Sequence, residues 1–228
     1  MRSVHRAGIA ALAAIVLAAL AAAASIAAGD GWSETSVVSG ESQPGRKAVF
    51  ADNGIAVEFS MPPGSGVTYE RSGKWPSASS ASIRMYADNV NATGNGYVPS
   101  AAYFPVSVTF AFGEDSLDLG WKERVSLFFR KLWSGSPPSG ICLTYAWGNR
   151  VPEGSMYRLW AEETVFVLAG GEEAGKEIAV VRRLADDFRA AYARDPKGPV
   201  TKVRVRARRP SAEVGAVKAR LSLGFPSN

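Results

Sequence analysis

The stretch VSVTFAF, residues 106–112, puts Val106, Val108, Phe110 and Phe112 on one side and Ser107, Thr109 and Ala111 on the other. Side chains of an extended chain point to alternate faces, so this period of two makes a strand with one large apolar face. The pattern recurs outward from there. Ala219, Leu221, Leu223 and Phe225 alternate with Arg220, Ser222 and Gly224; Ile141, Leu143, Tyr145 and Trp147 alternate with Cys142, Thr144 and Ala146. Ile55, Val57 and Phe59 make a shorter strand, and Ser82 to Tyr86 another. Residues 164–169 and 178–181 are apolar on both faces, and Gly170-Gly171 and Gly175 between them predict a hairpin near the middle of a sheet.

Two segments change period. Trp121, Val125, Phe128, Phe129 and Leu132 follow helical spacing, which predicts an amphipathic helix over 118–133. Leu184, Phe188, Ala191 and Tyr192 do the same from Arg183 to Arg194, where Asp195-Pro196 stops the helix. Strands separated by Gly, Pro, Asn and Ser, without regular βα alternation, predict a mainly β fold: an antiparallel β-sandwich with two short helices.

The 228 residues divide into three parts. Residues 1–28 read as a signal peptide: Arg2, His5 and Arg6, an uncharged run from Ala7, and small residues that allow cleavage after Ala27 or Ala28. An uncleaved leader is the alternative, and membrane contact is expected only through it. Residues 29–47, rich in Ser, Gly, Glu and Thr, read as a flexible tether or one weak strand. Residues 48–228 form the single domain. Export to the periplasm or medium follows from the leader.

Composition then narrows the chemistry. The one His of the sequence, His5, lies in the leader, and Cys142 is the one Cys. A mature chain without imidazole has no Ser-His-Asp or Cys-His catalysis, no zinc ribbon and no intrachain disulfide. No metal and no cofactor is expected. Cys142, within alternating apolar sequence, reads as a buried small hydrophobe.

The segment from Leu143 to Pro196 resembles an exported bacterial family, domain of unknown function 3047. The resemblance rests on Tyr145, Trp147, Asn149, Arg150, Pro152 and Gly154, then in gap-free spacing on Gly175, Arg182, Asp187, Phe188 and Pro196. It implies a jelly-roll-like β-sandwich and no activity. It places Tyr145, Pro152, Gly154, Gly175, Arg182, Asp187, Phe188 and Pro196 in structural positions. Three departures limit it. Residues 156–163 replace the family's Asn-Pro and Thr-Asp-Arg set, residues 206–210 replace an Asp-Thr-Asp-Asn stretch, and residues 48–99 do not align. Any role of those missing acids is not carried over.

Stacking aromatics beside amides and charged groups are how β-sandwiches hold sugars. Trp147, Asn149, Arg150, Tyr157, Arg158 and Trp160 form such a candidate set, against the alternative that Tyr145 and Trp147 are core and Asn149 shapes a turn. Arg182, closing a strand, and Asp187, in the first turn of the next helix, are expected to tie helix to sheet. Lys202, Arg204, Arg206 and Arg208 share one face opposite Val203, Val205 and Ala207. That face is either a solvated guard on an edge strand or a contact for a glycan or anionic envelope polymer. Without the leader's Arg2 and Arg6, Lys and Arg exceed Asp and Glu by only three, so the charge is local. No stacking aromatics interleave with it, and no nucleic acid is expected. The expected function is a non-catalytic exported β-sandwich that binds a carbohydrate or envelope component. The alternatives are a carboxylate-dependent carbohydrate-active enzyme and a structural envelope protein without a small ligand.

Overall fold

The computed structural model describes residues 25–38, 43–76, 79–90, 104–113, 140–160, 162–209 and 216–225. In chain order the strands are β1 (Ser25–Gly29), β2 (Trp32–Val38), β3 (Gly45–Ala51), β4 (Gly54–Met61), β5 (Ser65–Trp75), β6 (Ser80–Ala87) and β7 (Val106–Phe112). There follow β8 (Ile141–Trp147), β9 (Met156–Trp160), β10 (Glu163–Ala169), β11 (Glu177–Arg183), the helix α1 (Leu184–Tyr192), β12 (Val200–Arg209) and β13 (Val217–Gly224). A short 3-10 turn, Gly171–Glu173, precedes β11.

Two sheets face each other. One has eight strands in the order β1-β2-β5-β12-β7-β8-β10-β9, the other five in the order β11-β6-β13-β4-β3. All pairings are antiparallel except β8 with β10, which is parallel. The apolar sets read from the sequence meet between the sheets. Val108, Phe110 and Phe112, Leu143, Tyr145 and Trp147, and Val203, Val205 and Ala207 come from the larger sheet, and Val57, Phe59, Ile83, Met85, Leu221 and Leu223 from the smaller. Aromatic rings close the middle of this core: Phe110 meets Tyr145 edge-on at 5.7 Å, and Phe225 stacks on Trp75 at 5.4 Å. Within the smaller sheet β4 and β13 approach closely at one end: a Cβ on Gly54 would stand 2.1 Å from the Leu223 carbonyl oxygen, so no other residue fits that pairing.

The mainly β two-sheet fold stands as the alternation predicts, with corrections to detail. β7 and β8 are buried on both faces rather than one. Of the two readings of residues 29–47, the described part takes the strand: Trp32–Val38 pairs with β5 through seven residues, and Trp32 is buried against Phe50. One large apolar residue among Ser, Thr and Glu gives no periodic signal, and the order comes from the strand it pairs with. Residues 164–169 and 178–181 do not form a hairpin. β10 lies in the larger sheet, while β11 pairs with β6 at the edge of the smaller, with Val181 exposed. The glycines between them carry the chain from one layer to the other, Gly175 at φ 84° donating its N–H to the Ala87 carbonyl. β12 is no edge strand, since it sits between β5 and β7. Of the two expected helices, 184–192 is present and 118–133 lies outside the described residues. Among the described residues, no helix is long and apolar enough to cross a membrane.

Candidate functional site

The candidate set splits between the interior and the surface. Trp147 is fully buried, and its indole N–H donates to the Gly170 carbonyl at 2.9 Å. Asn149 is buried as well; its side-chain oxygen accepts from the Arg150 N–H at 2.8 Å and its carbonyl from the Gly171 N–H at 3.0 Å. These two residues fasten the end of β8 to the turn after β10. Arg150 is exposed beside them. Arg158 is exposed too, but its guanidinium lies 5.2 Å over the Tyr192 ring and donates to the Ala191 carbonyl. Tyr157 and Trp160, partly buried, pack against Ala146, Val151, Val165 and Val167.

The pattern residues Tyr145, Arg182 and Asp187 form one cluster that joins both sheets and α1. Arg182, on β11, gives the Asp187 carboxylate two hydrogen bonds, 2.9 and 2.5 Å, and the Tyr145 phenol gives it a third, 2.5 Å. The guanidinium also lies over the Tyr145 and Phe166 rings at 5.7 and 5.5 Å. Burial first, then the Asp187 charge, holds the Tyr145 phenol well above its ordinary range, so it remains a donor. Phe188, buried one residue on, packs 4.7 Å from Phe112. Gly154 (φ 79°) and exposed Pro152 shape the turn after β8, and half-buried Pro196 follows the helix. The Asp187 carboxylate is engaged by both partners, and the cluster ties α1 to the two sheets.

The outer face of the eight-stranded sheet is different. Register puts Thr68, Arg206, Ser107, Ala146 and Val167 in one row across β5, β12, β7, β8 and β10. The next row is Glu70, Arg204, Thr109, Thr144 and Val165, continued on β9 by Tyr157. Lys202 and Glu163 flank it. The Thr109 and Thr144 hydroxyls share a hydrogen bond of 2.8 Å, and Thr144 donates to Glu163 at 2.8 Å. Glu70 is clasped by Lys202 at 2.8 Å and Arg204 at 2.6 Å. Burial works to raise the Glu70 carboxyl, but the hydrogen bonds from these cations outweigh it and hold it below the usual carboxylate range.

This face therefore grades from the exposed guanidinium groups of Arg206 and Arg208 on β12, through the buried hydroxyls of Ser107, Thr109 and Thr144 on β7 and β8, to partly buried rings at β9. Sequence reasoning found the cations and the rings separately. It missed Glu70, Thr109, Thr144 and Glu163, because a strand's alternation says which residues share its face but not which strands stand beside it. Glu70 and Glu163 lie four strand spacings apart, roughly 19 Å at the backbone. Glycoside cleavage needs its two carboxyl groups about 5 to 9.5 Å apart. These two do not form such a pair. Among the described residues, no group of three or more His, Cys, Asp or Glu is placed to hold a metal ion.

Comparison with known proteins places this geometry. The family described as "Protein of unknown function (DUF3047)" matches residues 76–207, more than half of the chain. No curated protein matches it. Solved structures resemble it at low identity. The family GH12 endoglucanase 3 of Trichoderma harzianum is 11% identical, with 90% of this chain and 95% of that one covered and a TM-score of 0.47. A family 12 xyloglucanase from Bacillus licheniformis is 8% identical, covering 90% and 97%, with a TM-score of 0.42. The xylan-binding module CBM15 is 13% identical, covering 90% and 97%, with a TM-score of 0.30. Likenesses at this level assign no ligand and no reaction to this chain.

Proposed function

The chain belongs to the DUF3047 family, and since the residues that carry that pattern here are engaged in joining the two sheets, we propose that function resides on the outer face of the eight-stranded sheet, as non-catalytic binding of an extended carbohydrate or envelope polymer. One observation carries the reading: cations, hydroxyls and aromatic rings follow one another across neighbouring strands of a single face. Guanidinium groups supply directional partners and the partly buried rings a surface for a sugar face, while the hydroxyls between them are buried and bonded within the sheet. The separation of Glu70 and Glu163 supports binding without cleavage.

The test is a panel of soluble polysaccharides offered to the full chain, with binding followed by thermal shift and cleavage by release of reducing ends. Binding with no release of reducing ends is expected. Turnover of any member would replace this reading with the carbohydrate-active enzyme, and failure to bind all of them would leave a structural role.

Export is part of the proposal. Cleavage after Ala27 or Ala28 would remove most of β1 and leave β2 as the sheet's edge. Intact-mass measurement after expression in a Gram-negative host should find an N-terminus near Ala28 or Gly29 in the soluble periplasm. Full-length protein in the membrane fraction would defeat it.

A further inference from the structure

We propose that the polymer this face takes is anionic, and that Arg206, flanked by Arg204 and Arg208, receives its acidic groups. The inference rests on the reading of the outer face as the binding surface and adds the class of ligand.

The four cations on the outer face of β12 are not equivalent. Lys202 and Arg204 are committed to Glu70. Arg206 and Arg208 are exposed, and among the described residues neither has a carboxylate within ion-pair distance. Opposite Arg206 stand Thr68 and Ser107, which carry no charge. Opposite Arg208 stands Gly66, and the Arg208 stem lies over it, with Cγ 3.5 Å from where a Cβ would be.

Arg206 is exposed, yet burial is the first cause that pulls its guanidinium down to about 10, followed by the like charges of Arg208 and Arg204. It remains charged at neutral pH, where like-charged neighbours and reduced hydration both penalise it. An anion placed there relieves both penalties and meets a planar fork suited to a carboxylate or sulfate.

The outer face of the smaller sheet supplies the contrast. Its row Glu177, Tyr86, Arg220, Glu58 and Lys47 alternates in sign, with Arg220 only 4.4 Å over the Tyr86 ring. Acids there stand beside cations around a shallow recess of about 400 Å³ that also includes Arg84. Charge on that face is balanced locally, whereas on β12 it is not.

The experiment is calorimetric titration of the full chain, at low salt, with dextran sulfate, polygalacturonate and uncharged dextran. Wild type should bind at least one of the charged polymers tenfold or more tightly than dextran, with affinity falling as salt rises. Arg206→Gln should lose tenfold or more of that affinity. Arg206→Lys should recover part of it, and Arg84→Gln, on the opposite sheet, should bind as wild type does. Preference between dextran sulfate and polygalacturonate tells sulfate from carboxylate as the acidic group. Arg208→Gln carries the same expectation and serves if Arg206→Gln does not fold.

Equal binding of dextran and the charged polymers, untouched by Arg206→Gln, overturns the anionic inference and leaves the saccharide reading standing. Equal loss in Arg84→Gln overturns the assignment to this face. Binding of none of the three polymers, together with none of the wider panel, overturns both readings.

Discussion

Asp187→Ala is expected to lower the melting temperature by about 6 to 12 °C. The carboxylate accepts from two guanidinium nitrogens of Arg182 and from the Tyr145 phenol, so its removal strands a charge and a buried hydroxyl together. Breaking a buried pair costs about 3 to 5 kcal/mol. Because the Arg182 side chain keeps 32% of its surface exposed, water recovers part of that, and the lower end applies. Each kcal/mol moves the melting point of a domain of this size by about 2 to 4 °C. In a double-mutant cycle, Tyr145→Phe should be strongly non-additive with Asp187→Ala, since each removes one end of the same bond. Polysaccharide affinity, measured on the folded fraction, should not change. A shift under about 2 °C with lost binding would move this cluster from scaffold to site.

Trp147→Ala should cost about 3 to 5 kcal/mol in urea unfolding, the range for truncating a large buried aromatic. Trp147 is fully buried, and its indole is the donor for the Gly170 carbonyl. Trp147→Phe keeps most of the volume but strands that carbonyl, and about 2 kcal/mol is expected from the bond and the small void together. Neither change should alter the saccharide affinity of folded protein. Weaker binding by Trp147→Phe at unchanged stability would return Trp147 to the ligand set.

Both predictions use residues that the sequence marked, but for different reasons. Trp147 was legible as core because it shares the alternating face of Ile141, Leu143 and Tyr145, and that face is buried. Its membership in a ligand set rested on neighbours in sequence, Asn149 and Arg150, that the turn sends elsewhere. Arg182 and Asp187 were legible as a pair because a strand end and the next helix's first turn lie close by construction. Tyr145 as their third partner was not, since it is 42 residues from Asp187 in sequence and in the other sheet.

What the sequence determined by itself is the face each side chain occupies. The period of two along β7, β8, β12 and β13 separates core from outer face without reference to any other strand, because the pleat is a local property of the backbone. The missing imidazole and the single thiol are likewise facts of composition, and they bound the chemistry before any fold is drawn. Only the tertiary structure decided which strands are neighbours. It made β8 and β10 a parallel pair, set β12 between β5 and β7, and took β10 and β11 into different sheets, where proximity in sequence predicted a hairpin. The reason is energetic: lengthening a connection adds little closure entropy, so pairing is chosen by which arrangement buries the apolar faces of the strands together. The outer face is the by-product of that choice. Arg206, the hydroxyls of Ser107, Thr109 and Thr144, and the ring of Tyr157 come from four parts of the chain and lie on one side of a sheet because their opposite faces share a core.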